Sequence, residues 1–96
     1  MIESFGNRLA EDMFCGLSAI VTRVFPGDYM QVARRKLLYL HDAAEFEDLR
    51  IPRHNQLNAL KGRRDGFHSL RISDHWSLTF RFHRGTAWDV AVVHHP

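Results

Sequence analysis

The sequence predicts an α+β fold: a small antiparallel β-sheet with two N-terminal α-helices packed on one of its faces. Three observations carry this expectation. Apolar residues recur every three or four positions up to Ala44, as they do on one side of a helix. Beyond Pro52 they alternate with polar residues, as they do on a strand that buries one face. Tight-turn residues, Asp74 and the pair Arg84-Gly85, separate the alternating segments closely enough to require antiparallel neighbours. The 96 residues contain no repeat and no Pro/Gly/Ser-rich linker, so residues 1–96 are expected to form one domain.

The elements follow in order. Met1–Phe5, with Ile2 and Phe5 as its apolar residues, is a short strand candidate. Asn7 is placed to cap a helix over Arg8–Gly16, in which Leu9, Met13 and Phe14 share a face. Pro26-Gly27-Asp28 interrupts the chain. Asp28 is expected as the next N-cap, and Gln31 three residues later gives a start resembling a capping box. From there Met30, Ala33, Leu37, Leu40 and Ala44 form an apolar stripe, with Arg34, Arg35 and Lys36 off it. Gln56–Leu60 reads as a strand, followed by a Lys61–Gly66 turn. Phe67–Ser73 places His68, Leu70 and Ile72 on one face and Phe67, Ser69 and Arg71 on the other. His75–Phe82 turns Trp76, Leu78, Phe80 and Phe82 toward the core. Ala87–His94 is expected to do the same with Trp88, Val90 and Val92.

Composition excludes several classes. A single cysteine, Cys15, cannot form an internal disulfide, so a cystine scaffold is excluded. No apolar run approaches the ~20 residues of a membrane helix, and MIESFGNRLAED lacks an export-signal pattern. A soluble, cytoplasmic domain without membrane association is expected. The formal charge of +2 is unevenly distributed. Residues 1–49 hold five Lys/Arg against eight Asp/Glu, a balance of −3; residues 50–96 hold eight against three, a balance of +5. Six of the seven histidines also lie in the second half. Basic charge gathered on one structural unit suits a polyanion such as nucleic acid. The sheet face turned away from the helices, with Ser69, Arg71, Thr79, Arg81 and Asp89, would then meet an extended single strand. An ordinary solvated sheet face is the plainer alternative.

The densest polar cluster is Lys61-Gly62-Arg63-Arg64-Asp65-Gly66-Phe67. Lys61, Arg63 and Arg64 are suited to phosphates, and Phe67 to stacking on a base; a charged hairpin turn is the competing explanation. The glycine spacing is not that of a nucleotide-binding P-loop. Metal chemistry is not expected: His94 and His95 are adjacent and would point to opposite faces, and no zinc-finger or HExxH spacing occurs. Nor is there a GxSxG nucleophile elbow. RNA cleavage needs neither, because the ribose 2′-hydroxyl itself attacks the phosphodiester once groups are placed to move protons and stabilise the phosphorane.

The order Met1-Ile-x-Ser-Phe5, Arg35-Lys36-Leu37, Asp48-Leu49, Asn55-x-Leu57-x-x-Leu60-Lys61-Gly62-x-Arg64-x-Gly66, Ser69-x-Arg71-Ile72 and Trp76-x-x-Thr79-Phe80-Arg81-Phe82 resembles the HigB branch of the RelE toxin superfamily, the plasmid-maintenance killer proteins. The likeness spans essentially the whole chain. It implies a RelE-like fold and the toxin of a type II toxin–antitoxin system, a metal-independent, cofactor-free endoribonuclease that cleaves mRNA on the ribosome. The implied partners are a helix-turn-helix, HigA-like antitoxin, the ribosome and its mRNA, and operator DNA bound by a toxin–antitoxin hetero-oligomer. By the resemblance Lys61, Arg64 and Arg71 would bind phosphate and stabilise the transition state; the polar cluster and the sheet face add Arg63, Phe67 and Arg81 to the expected RNA-binding residues. His95 would move protons, with His94 as the reserve. The sequence departs from the family at Asn58, where a histidine is usual, at Ser77, where an arginine is usual, and at His94-His95-Pro96, where Asp-Tyr-His is common. Those departures define a rival: a catalytically degenerate module that binds antitoxin or RNA without cutting. A free-standing RNA-binding domain is a third alternative.

Overall fold

The computed structural model describes residues 1–16, 21, 23–50, 57–60 and 66–95, and all statements below concern these. Helix α1, Arg8–Phe14, starts where the sequence places it and ends two residues earlier than expected. Asn7 is its N-cap, and the Asn7 side-chain oxygen accepts from Ala10 N at 3.0 Å. The same amide group reaches the sheet: Asn7 Nδ2 donates to Val92 O at 2.8 Å, and Val92 N donates to Asn7 Oδ1 at 3.3 Å. One side chain thus caps the helix and docks it on the last strand, satisfying groups that would otherwise be orphaned.

Helix α2 spans Met30–Asp42 and buries Ala33, Leu37 and Leu40, as the stripe predicts. Two expectations fail here. Asp28 is not the N-cap: Gly27–Tyr29 forms a 3-10 turn, and Tyr29 takes the N-cap position without a side-chain bond. The capping-box start with Gln31 is therefore absent. Lys36, expected off the apolar stripe, is only 4% exposed, and its Nζ donates to the main-chain carbonyl of Arg71. Its aliphatic stem lies with the apolar stripe while its ammonium finds a strand-end carbonyl. Burial, and secondarily the charge of Arg71, push the Lys36 ammonium below its ordinary pKa. After α2, Ala43 turns extended, and a 3-10 turn over Phe46–Arg50 buries Leu49. Asp48 Oδ2 accepts from Ala44 N and Glu45 N, each at 3.1 Å, and so holds this turn closed.

Four antiparallel strands follow in the order β1-β2-β3-β4: β1 Asn58–Ala59, β2 His68–Arg71, β3 Trp76–His83 and β4 Thr86–His94. β2 is shorter than the expected Phe67–Ser73 at both ends. Of the expected Gln56–Leu60 strand only Asn58–Ala59 is found among the described residues. Helix α1 packs on β4 and α2 on β3 and β4, all on one sheet face. Leu70, Leu78, Phe80, Val90 and Val92 from the sheet meet Met13, Leu37 and Leu40 from the helices in the core. Each such side chain contributes on the order of 1.5–3 kcal/mol on burial.

The N-terminal segment forms two parallel bridges to β4, Ile2 with Ala87 and Phe5 with Val90, in place of a full strand. Ala87 N donates to Met1 O and Glu3 N to Ala87 O, both at 2.8 Å; Val90 N donates to Ser4 O at 3.0 Å and Gly6 N to Val90 O at 2.7 Å. The gap between these pairs coincides with an irregularity in β4. Thr79 pairs with Ala91 but Arg81 with Trp88, so Phe80 of β3 faces two residues, Asp89 and Val90. Asp89, the extra residue, has φ +53. This β-bulge reverses the in–out alternation of β4. Consequently Ala87 rather than Trp88 faces the core, and Trp88, expected inside, is 38% exposed on the opposite face. No helix among the described residues is long and apolar enough to cross a membrane.

Candidate functional site

The sheet face away from the helices gathers most of the described candidate residues. Arg71 of β2 pairs with Ser77 of β3, and Ser77 with Val93 of β4, so their side chains rise from the same face. One step beyond β4, His95 N donates to His75 O at 2.8 Å and prolongs the pairing. That register brings His95 onto the same face, where its Nε2 lies 3.1 Å from Ser77 Oγ. Ser77 is buried at its base and gives the imidazole a fixed polar contact. The His75 ring adds a contact from Nδ1 to His95 O at 3.3 Å.

Arg71 reaches this end through a strand whose last carbonyl is gripped from behind by Lys36. Its guanidinium forms an ion pair with Asp74, and its Nε donates to Ser73 O at 3.3 Å. Both partners of the ion pair are well exposed, so the interaction is worth at most about 1 kcal/mol. An incoming phosphate can exchange with Asp74 at little cost.

His94 turns away from Arg71 and Ser77, although its ring lies 6.1 Å from that of His75. It pairs with Trp76, whose ring lies 4.9 Å away edge-on and packs in turn on Phe25 at 4.8 Å. The two terminal histidines therefore point to opposite faces, as adjacent strand residues must, and His95 alone joins Arg71.

At the other end of the face lie Arg81, Phe67, Trp88 and Asp89. Arg81 donates through Nε and Nη2 to Asp89 Oδ2, at 3.0 and 2.7 Å. Its guanidinium carbon lies 5.8 Å from the centre of the half-buried Phe67 ring. Between the two ends are the short side chains of Ser69, Thr79 and Ala91, paired across three strands. Lys61, Arg63 and Arg64 lie outside the described residues. Leu60 N donates to Phe67 O at 2.9 Å, closing the β1–β2 connection on either side of them.

The open face is not a pocket. Cavities lie elsewhere: about 280 Å³ between α1 and α2, beside Met13 and Leu37, and about 450 Å³ where Ala44–Phe46 meets His68, Phe82 and the β3–β4 turn. Ser77, Thr79 and Ala91 in the middle of the open face are buried, and a shallow sheet face with Arg71 and an imidazole at one end fits an extended substrate better than an enclosed small molecule. Sequence reasoning missed Ser77 and His75 as neighbours of His95. Their positions two residues apart at the start of β3 were visible, but the β3–β4 register that brings them to His95 was not.

Comparison with known proteins bears on the family and the fold. The family model of the HigB-like toxins, described as the RelE-like toxin of type II toxin–antitoxin system HigB, matches residues 19–95. No curated protein matches the chain. Among solved structures, YafQ from E. coli strain BL21(DE3) superposes with a TM-score of 0.59 at 14% identity, covering 98% of this chain and 91% of that one. A histidine-to-glutamine mutant of YafQ from E. coli gives a TM-score of 0.58 at 15% identity over the same shares of both chains. At such identities these structures bear on the fold alone, and they share it. With four-fifths of its length matched by the family model, the chain belongs to the HigB-like family of RelE-like toxins from type II toxin–antitoxin systems.

Proposed function

We propose that this toxin is a ribosome-dependent, metal-independent mRNA endoribonuclease that acts through the open face of its sheet. The observation that carries the reading is the meeting of Arg71, Ser77 and His95 on that face, built from three neighbouring strands. RNA is aligned so that a ribose 2′-oxygen attacks the adjacent phosphorus. The P–O5′ bond breaks and a 2′,3′-cyclic phosphate forms. His95, oriented by Ser77, accepts the 2′-hydroxyl proton and returns a proton to the departing 5′-oxygen; imidazole is the side chain suited to both transfers near neutral pH. Arg71 exchanges Asp74 for the phosphate and stabilises the charge of the phosphorane. Lys61, Arg63 and Arg64, from the connection between β1 and β2, hold flanking phosphates. A type II toxin has an antitoxin partner; for this chain we assign a helix-turn-helix, HigA-like protein, with which it binds operator DNA.

The test is inducible expression followed by primer extension on translated messages. The wild-type chain is expected to arrest growth and produce cuts inside coding regions, and purified protein to cut only when ribosomes are present. His95→Ala should abolish both effects in a folded protein, and Arg71→Ala should slow cleavage by roughly 10²–10³-fold, as loss of one transition-state donor does. Unchanged toxicity of His95→Ala would remove His95 from the mechanism. The departures from the family at Asn58, Ser77 and His94-His95-Pro96 favour a second reading, a module that binds without cutting. Intact messages together with tight antitoxin binding would establish it.

A further inference from the structure

Trp88 is a large aromatic residue that the β4 bulge takes out of the core and leaves on the open face. Without the extra residue Asp89, the alternation set by Val90 and Val92 would carry Trp88 inward. The bulge is maintained at a cost, since Asp89 sits at φ +53, a region that non-glycine residues seldom occupy. It is also held from several sides. Ser4 Oγ accepts from Asp89 N at 2.8 Å, and Arg81 grips the Asp89 carboxylate at 3.0 and 2.7 Å. Trp88 pairs directly with Arg81, and the Arg81 guanidinium lies over Phe67 at 5.8 Å. Two aromatic side chains and a guanidinium plane are thus brought together on the face that carries Arg71 and His95.

The charge balance here indicates which part of a nucleotide this end would take. The Arg81 charge is met by a two-pronged bond to Asp89, so the patch offers flat aromatic surface and no net cation. Such a surface suits the uncharged face of a base. From Ser77 beside His95 to Arg81 beside Trp88 is four residues along β3, about 13 Å of strand. An extended single strand of a few nucleotides spans that distance.

We propose that Trp88, with Phe67 and Arg81 beside it, forms a base-stacking subsite for single-stranded RNA, set apart from the scissile phosphate along the open face. The subsite rests on the proposed ribonuclease reading and adds to it the place where a flanking base is held. Its tolerance for all four bases follows from stacking, which every base can provide.

The test uses the full chain carrying His95→Ala, so that RNA is bound and not cut, titrated with a single-stranded oligoribonucleotide of about eight nucleotides. Added Trp88→Ala should weaken binding roughly 5- to 100-fold, the effect of losing one stacked base, while Trp88→Phe keeps most of it. Indole fluorescence should be quenched by RNA in the parent and much less in the Trp88→Phe chain, whose remaining tryptophan, Trp76, packs against Phe25 on the other face. Equal RNA affinity of the parent and Trp88→Ala chains would overturn the subsite and leave the ribonuclease reading standing. Absence of RNA binding in both would overturn the subsite, which requires the chain itself to hold single-stranded RNA, and would leave the ribosome-dependent reading standing. Loss of antitoxin binding in Trp88→Ala with RNA binding intact would make this patch a protein-docking surface, and would equally overturn the proposal.

Discussion

At the scale of single residues, burial decides what a titratable side chain does, and His68 shows it most directly. Its ring lies 4.6 Å from that of Phe46 and 6.0 Å from that of Phe80, and loss of hydration there pushes its pKa below the ordinary value of 6.5. The unfolded chain therefore binds a proton at His68 more readily than the folded one. Its contribution to stability is fully present above pH 6.5 and is lost as pH falls from there through the lower folded value. Denaturant midpoints measured on both sides of that window should fall less in His68→Phe than in the parent; equal losses would exclude His68 as a source of acid sensitivity. Asn7 was legible in the sequence because a cap is a local bond. Lys36 was not, because its partner, the Arg71 carbonyl, is 35 residues away. His95 had the right chemistry in the sequence, yet its company could only be read once β3 and β4 were in register.

At the scale of elements, the turns were legible and the bulge was not. Arg84-Gly85 forms the two-residue β3–β4 loop, with φ of +51 and +76 as a type I′ turn requires. Arginine is a poor choice at the first of these positions, so Arg84→Gly should stabilise the hairpin by about 0.5–1 kcal/mol. Gly85 has no such freedom. Its φ is positive, and an added Cβ would stand 2.8 Å from the Ala44 carbonyl oxygen. Gly85→Ala should therefore destabilise by ~1–3 kcal/mol. Urea midpoints of the two variants should move in opposite directions; a shift of both in the same direction would contradict this account. The β4 bulge leaves no such mark in the sequence. Counting by twos through Trp88-Asp89-Val90-Ala91-Val92 gives a regular strand, and only pairing with β3 reveals the additional residue. The two faces of β4 were therefore correctly read from Asp89 onward and inverted at Trp88 and Ala87.

At the scale of the whole molecule, the predicted layering is present among the described residues: a sheet with its helices on one face and Arg71 and Arg81 on the other. What the alternation pattern could not give was the closure of the chain on itself, in which Met1–Gly6 runs parallel to β4. Gly6 is the tightest point of that closure, because a Cβ there would meet the Asp89 carbonyl oxygen at 2.7 Å. Gly6→Ala should loosen the N-terminal segment from the bulge and lower stability by ~1–3 kcal/mol. Faster hydrogen exchange at the Gly6 and Val90 amides would localise the effect, and unchanged exchange there would refute it.

That closure also sets the timing of folding during synthesis. The segment Met1–Gly6 finds its partner only in β4, and both α1, through Asn7, and the bulge, through Ser4, depend on contacts 85 residues apart in the chain. Contacts this distant in sequence form late and carry a large loop-closure cost. A nascent chain still missing Thr86–His95 lacks β4 and with it His95. The face that the proposed reading assigns to cutting can therefore be assembled only after β4 has been made.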